Sequence, residues 1–225
     1  MSFPVIQNTA SSSDSSDTMT HIVTLPSSIT ANNLLLVFFA MDGGEEVMID
    51  TSYSGANWSI YTRYISTYHT AGIIVKIAEG GGNDALQLTT DNAEAGSFIA
   101  LQISGIITGI PISFSTPSYT TSSNMDPPSL TPGFGEQDYL WIVFGSLHNN
   151  ICASGAPTNF GNLITSFCGG TGPGCSVASR SYRYGSHYDP GTFYSASGSW
   201  IAYTLTVNPI EAGGISIPMF AYYNF

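Results

Sequence analysis

The chain has 225 residues, of which only 8% are charged; four basic residues stand against fifteen acids, for a net charge of −11. Arg63, Lys76, Arg180 and Arg183 cannot form the basic patch that displaces phosphate counterions, so nucleic acid is excluded as a partner, and anionic membrane is disfavoured for the same reason. A 12% aromatic content with so little charge also excludes a mainly disordered chain.

The first residues, Met1-Ser2-Phe3-Pro4-Val5, lack the basic start and apolar core of an export signal. The protein is therefore expected either to be made without a cleavable signal or to have lost it. Residues 8–18 are a run of Ser, Thr, Asn and Asp, expected as a mobile arm or a long surface loop within an N-terminal segment 1–19. A first β half follows over 20–107. Residues 21–26 read as a strand ending at Pro26. Residues 34–40 are apolar at every position, as in a central strand covered on both faces. Asp42-Gly43-Gly44 turns the chain. Further strands are expected at 58–65, 72–78, 85–89 and 97–104, with turn residues every eight to twelve positions, which is the pattern of a sandwich or barrel. No apolar period of 3.6 with caps is present, so long helices are not expected.

Residues 108–128 form a Pro/Ser-rich crossing, and Pro127-Pro128 cannot lie in a central strand because proline lacks the ladder donor. A second half over 129–207 then repeats the first. At an offset of 105, residues 32–40 match 137–145; at an offset of 102, Asn57-Trp58 matches Asn159-Phe160 and residues 97–104 match 199–206. The fold expected is an all-β, antiparallel, jelly-roll-like β-sandwich of two repeated halves, sharing one core in preference to forming two thin sandwiches with open edges. The remainder, 208–225, has no counterpart. Its Ile215, Ile217, Met219, Phe220, Tyr222, Tyr223 and Phe225 are candidate partner-binding residues, either as an edge strand of the chain's own sheet or docked on a neighbour.

Chemistry is hard to find. There is no G-x-S-x-G elbow, no H-E-x-x-H and no phosphate-binding glycine loop leading into a helix, so no catalytic residue, no metal ligand and no cofactor is assigned. Ser186-His187-Tyr188-Asp189 puts triad-type groups side by side, but neighbours on an extended chain point apart. The aromatics around it, Tyr182, Tyr184, Tyr188, Phe193 and Tyr194, are instead a candidate surface-binding loop, since Tyr supplies contact area at low entropic cost. Trp58, Tyr61, Tyr64 and Tyr68 are a second candidate platform, although their alternation turns about half of them inward. The acids between Asp42 and Asp50 could hold calcium, but their order is not that of an EF-hand. Of the three cysteines, Cys168 and Cys175 could close a small loop as a disulfide or remain two thiols beside a flexible turn.

The segments around Leu25-Pro26, 33–44 and 97–105, together with 126–132 leading into 138–142, resemble virion structural proteins of tailed bacteriophages. That resemblance covers most of residues 20–207 and rests on structural motifs. It implies a β-sandwich on the particle surface, a head decoration (cement) protein or a tail or fibre component. It also implies a non-enzymatic protein assembled in the host cytoplasm into the virion. The implied partners are the major capsid protein or another virion protein, further copies in a homo-oligomer, or a host glycan.

Overall fold

The computed structural model describes residues 2–107, 109, 111–167 and 172–210. Among them there is no helix, and the fold is the expected all-β antiparallel sandwich, made of two six-stranded sheets. The first half forms one sheet from β1 (Val5–Ile22), β2 (Leu34–Asp42), β3 (Val47–Ile49), β4 (Ser59–Ile65), β5 (His69–Ile77) and β6 (Gln87–Ser104). Its order is β1-β6-β2-β5-β4, with β3 also on β6. The second half forms the other from β7 (Ile112–Phe114), β8 (Ser118–Ser122), β9 (Gln137–Leu147), β10 (Gly161–Phe167), β11 (Gly174–Tyr184) and β12 (Gly198–Val207). Its order is β10-β11-β9-β12-β7, with β8 also on β12. Read outward from the centre, β2, β5, β4, β6 and β1 have the same places as β9, β11, β10, β12 and the β7–β8 pair.

The centre of each sheet follows from its sequence. With apolar residues at every position, β2 can bury both faces. Leu34, Leu36, Phe38 and Ala40 point into a core shared with Leu140, Ile142 and Phe144 of β9. Leu35, Val37, Phe39 and Met41 point the other way and are covered by Val23, Leu25, Ile29, Trp58 and Leu86. The outward face of β9, with Tyr139, Trp141 and Val143, is covered in the same manner by Met125, Phe160, Phe193 and Trp200. Phe38 meets Phe144 at 5.1 Å between ring centroids.

Contacts to either side of that pair run in matched fashion. Across the sandwich, β5 faces β12, where Tyr203 Oη donates to the Ala71 carbonyl at 3.1 Å, and β6 faces β11, where Ser97 Oγ lies 3.1 Å from Cys175 Sγ. At the two open sides, β1 faces β10 and β4 faces β7 and β8. This is the arrangement of an approximate twofold axis passing between Phe38 and Phe144.

Four expectations change. Residues 5–22, read as an arm or loop through residue 19, are strand. The hydroxyl-rich stretch pairs with β6 through most of its length, with breaks in register between Asp14 and Thr20. Ser and Thr are small enough for an edge strand, and side-chain bonds hold this one down: Ser12 Oγ accepts the Thr24 N–H at 3.1 Å, and Asn8 donates to the Ser27 carbonyl at 2.8 Å. The strands expected at 85–89 and 97–104 are parts of one, β6. The crossing 108–128 contains β7 and β8, which line the edge of the second sheet on either side of Pro117. Finally, the offset of 105 between residues 32–40 and 137–145 is one residue off. It would match the inward Leu34 to the outward Tyr139. Strand side chains alternate with period two, so only an even offset keeps faces together, and 106 carries Phe38 onto Phe144. The offset of 102 does keep faces, carrying inward Ile99, Leu101 and Ile103 onto inward Ile201, Tyr203 and Leu205.

Candidate interaction surface

The two open sides of the sandwich are built from equivalent strands but differ in chemistry. Where β1 faces β10, the contact is polar, with Ser166 Oγ donating to the Ser12 carbonyl at 2.7 Å. Where β4 faces β7 and β8, it is aromatic. Tyr61 meets Phe114 edge-on at 5.0 Å, Tyr64 meets Tyr119 at 5.5 Å, and Tyr61 Oη donates to the Ile112 carbonyl at 3.3 Å. All four rings are at least partly exposed, and Ile65 and Tyr68 at the end of β4 are exposed as well. A break in register between Ile60 and Thr62 lets Tyr61 and Tyr64, three residues apart, both reach this seam. Trp58 belongs to the opposite face, where it is buried and its Nε1 donates to the Ala85 carbonyl at 2.8 Å. The cation on β4, Arg63, is engaged with the Glu46 carboxylate and the Val47 carbonyl.

The candidate loop residues divide. Tyr182 and Tyr184, two apart on β11, share its outer face and stack at 5.2 Å with an interplanar angle of 16°. Tyr188 closes on both at 5.7 and 5.8 Å and packs on buried Trp141 at 5.1 Å. Its backbone is pinned by paired hydrogen bonds with Leu130 at 2.9 and 3.0 Å. Arg180 completes the cluster, its guanidinium 4.0 Å from the Tyr182 ring centre, with Nη1 donating to Tyr188 Oη at 2.7 Å. Phe193 is not a surface residue: its apolar ring is wholly buried in the cluster that covers the outer face of β9, while its N–H donates to the Met125 carbonyl. Tyr194 is exposed but stands apart, bridging to Gly155. His187 contacts Thr131 at 3.4 Å while Asp189 accepts the Gly191 N–H, so Ser186, His187 and Asp189 do not converge.

Tail residues Ile215, Ile217, Met219, Phe220, Tyr222, Tyr223 and Phe225 lie outside the described residues, as does Cys168, so the Cys168–Cys175 pairing lies outside them too. Cys175 itself is buried on the inner face, beside Ser97. The acids of the β2–β4 region disperse. Asp42 turns to His148, Glu46 to Arg63, and Asp50 accepts from Ser52 and Gln87.

One pairing had no trace in the sequence. His69 Nε2 lies 2.9 Å from Ser146 Oγ across the two sheets, joining residues 77 positions apart. It resembles a nucleophile and its base, but both residues are wholly buried. Ser146 donates onward to the Ile201 carbonyl at 3.4 Å, which makes His69 Nε2 the donor. Nδ1 is then the lone-pair nitrogen and has no partner among the described residues, so no carboxylate orients the ring as a base. Burial, reinforced by His148, pushes the imidazole down to about 3. The pair is a neutral tie between sheets. Comparisons with protein-family models, curated proteins and solved structures find no match to this chain.

Proposed function

We propose that the chain is a non-enzymatic structural protein of a tailed-bacteriophage particle, a head decoration protein that stabilises the capsid by binding the major capsid protein or another virion protein. The observation that carries this reading is the difference between the two equivalent sides of the sandwich. A serine contact suffices to close the β1–β10 side, so the fold does not require aromatic rings where β4 meets β7 and β8. Partly exposed tyrosines and phenylalanine with little nearby charge suit a protein contact, where buried aromatics contribute most of the binding energy. The sequence resemblance supplies the particle, and the net charge of −11 disfavours nucleic acid as the alternative partner. Homo-oligomerisation, suited to a symmetric particle surface, belongs to the same reading.

The test is binding of purified protein to particles lacking it. Replacing Tyr68 and Phe114 together by serine should weaken binding at least about tenfold, the effect of losing ~1.4 kcal/mol of contact, with little change in thermal midpoint. Deleting residues 215–225 should abolish particle binding or oligomerisation. If both variants bind and assemble as wild type does, the reading fails.

The cluster of Tyr182, Tyr184, Tyr188 and Arg180 favours a second reading, a tail or fibre component that binds a host carbohydrate. A glycan array with hits that disappear on replacing Tyr184 and Tyr188 by alanine would favour it over decoration; an array without hits would dismiss it.

A further inference from the structure

Two polar rungs join the sheets at the end where β2 and β9 finish. The inner is the buried His69–Ser146 tie. The outer is an ion-pair contact between Asp42 Oδ1 and His148 Nε2 at 3.2 Å, with both side chains about one-fifth exposed (21% and 22%). His148 belongs to the second sheet, where its N–H donates to the Ser199 carbonyl, but its ring lies on the first, 6.2 Å from the His69 ring and 5.6 Å from Tyr68. On its other flank Asp42 acts on the Glu94 carboxylate. Glu94 of β6 reaches so close to the turn after β2 that a Cβ on Gly43, which has a φ of +67°, would lie 2.6 Å from Glu94 Oε1. Glu94 is pushed up to about 7 by burial and by the charges of Asp42, Glu45 and Asp17. The nearby cation Arg63 is held by Glu46.

The groups that meet here are therefore Asp17 from β1, Asp42 from β2, Glu45 from the following turn, His69 from β5, Glu94 from β6 and His148 after β9. We propose that this end of the sandwich is a proton-operated clasp: the Asp42–His148 rung holds the two sheets together while Glu94 is protonated and slackens when Glu94 ionises beside Asp42. A neutral Glu94 removes a negative charge that acts on Asp42 beside the rung. A carboxyl raised in the folded state binds its proton there in preference to the unfolded chain, so the clasp gains stability as pH falls from about 7 toward the ordinary carboxylate range. His69 does not share in this. Held neutral down to about 3, it keeps the inner rung constant through the window and serves as the hinge.

Hydrogen exchange of the full chain, corrected for intrinsic rates, reads the clasp directly. Between pH 6 and pH 8, residues 42–50 and 147–155 should lose protection by about tenfold, while residues 34–40 and 99–104 keep theirs. Glu94→Gln should restore protection of the two segments at pH 8. His148→Gln should lower it at pH 6 and flatten the profile. Should His148→Gln fail to fold, Glu94→Gln alone decides. Equal protection at the two pH values in wild type, or a Glu94→Gln profile that follows wild type, overturns the proposal.

Discussion

The two halves place a cation at the same point of their sheets and hold it differently. Lys76 on β5 stands opposite Leu35, and Arg180 on β11 stands opposite Trp141. Leu35 and Trp141 each precede by three residues the phenylalanine of the central contact. The charge lies near an aromatic ring from the segment entering the preceding strand, 5.7 Å from Trp58 in one case and 5.9 Å from Phe160 in the other. Beyond that the sites diverge. Lys76 is buried, and its ammonium lies 3.0 Å from the buried Asp84 and 3.3 Å from Glu79. Arg180 has no carboxylate within 4.0 Å among the described residues, and is held by the rings of Tyr182 and Tyr188. An ammonium is a compact charge that a carboxylate can match, whereas a guanidinium is planar and stacks. The same strand position therefore makes a sealed ion pair in the first half and a partly exposed cation among tyrosines in the second.

Removing Lys76 should sharpen that contrast most. Lys76→Met leaves Asp84 buried with its ammonium partner gone and should cost about 3 kcal/mol in denaturant unfolding. Lys76→Met with Asp84→Asn should recover a large part of it, because the charge left behind is then gone. If the single and double variants are equally unstable, the pair does not behave as a buried ion pair.

Acid should distinguish the halves next. Burial alone would raise the Asp84 carboxyl, but the Glu79 N–H, the Lys76 ammonium and the Gly80 N–H outweigh it and hold the group below its usual range. A carboxylate depressed in the folded state contributes stability above its unfolded pKa and loses it as pH falls through the folded value. Wild type should therefore lose stability below about pH 4, and the double variant should lose less over that interval. Replacing Arg180 should leave this acid slope unchanged, since no carboxylate pairs with it.

The sandwich itself could be read from the chain. Continuous apolar runs at 34–40 and 139–144 required strands covered on both faces, and turn residues divided the rest. Three things were hidden for identifiable reasons. The Ser-rich β1 has no apolar alternation, because an edge strand held by Ser12 and Asn8 does not need one. The register of the repeat slipped by one at β9, since an all-apolar strand matches itself equally well in either parity while burying opposite faces. The His69–Ser146 and Asp42–His148 rungs join residues that come together only when the sheets stack, and no local spacing marks them. Of the proposed surfaces, Tyr182 and Tyr184 were read as part of a loop, whereas they end strand β11. Phe193, close to them in sequence, packs its ring into the apolar cluster over β9, which no local spacing marks.

Arg180→Met tests whether the second site depends on charge. The methionine keeps much of the stem packing and loses the stacking on Tyr182, so the expected cost is about 1 kcal/mol, well below that at Lys76.

The smallest effect belongs to Tyr188→Phe. The hydroxyl it removes accepts from Arg180 Nη1 at 2.7 Å, while the ring's contacts with Trp141, Tyr182 and Tyr184 depend only on its face and edge. Arg180 is partly exposed, so water can take the released donor, and the loss should stay below about 1 kcal/mol. Tyr188→Ala, which removes the ring as well, should cost several times more. If Tyr188→Phe proves as damaging as Tyr188→Ala, the hydrogen bond and not the ring anchors this cluster. Arg180 would then be a buried donor that needs its acceptor, and the two halves would differ less in kind than their partners suggest.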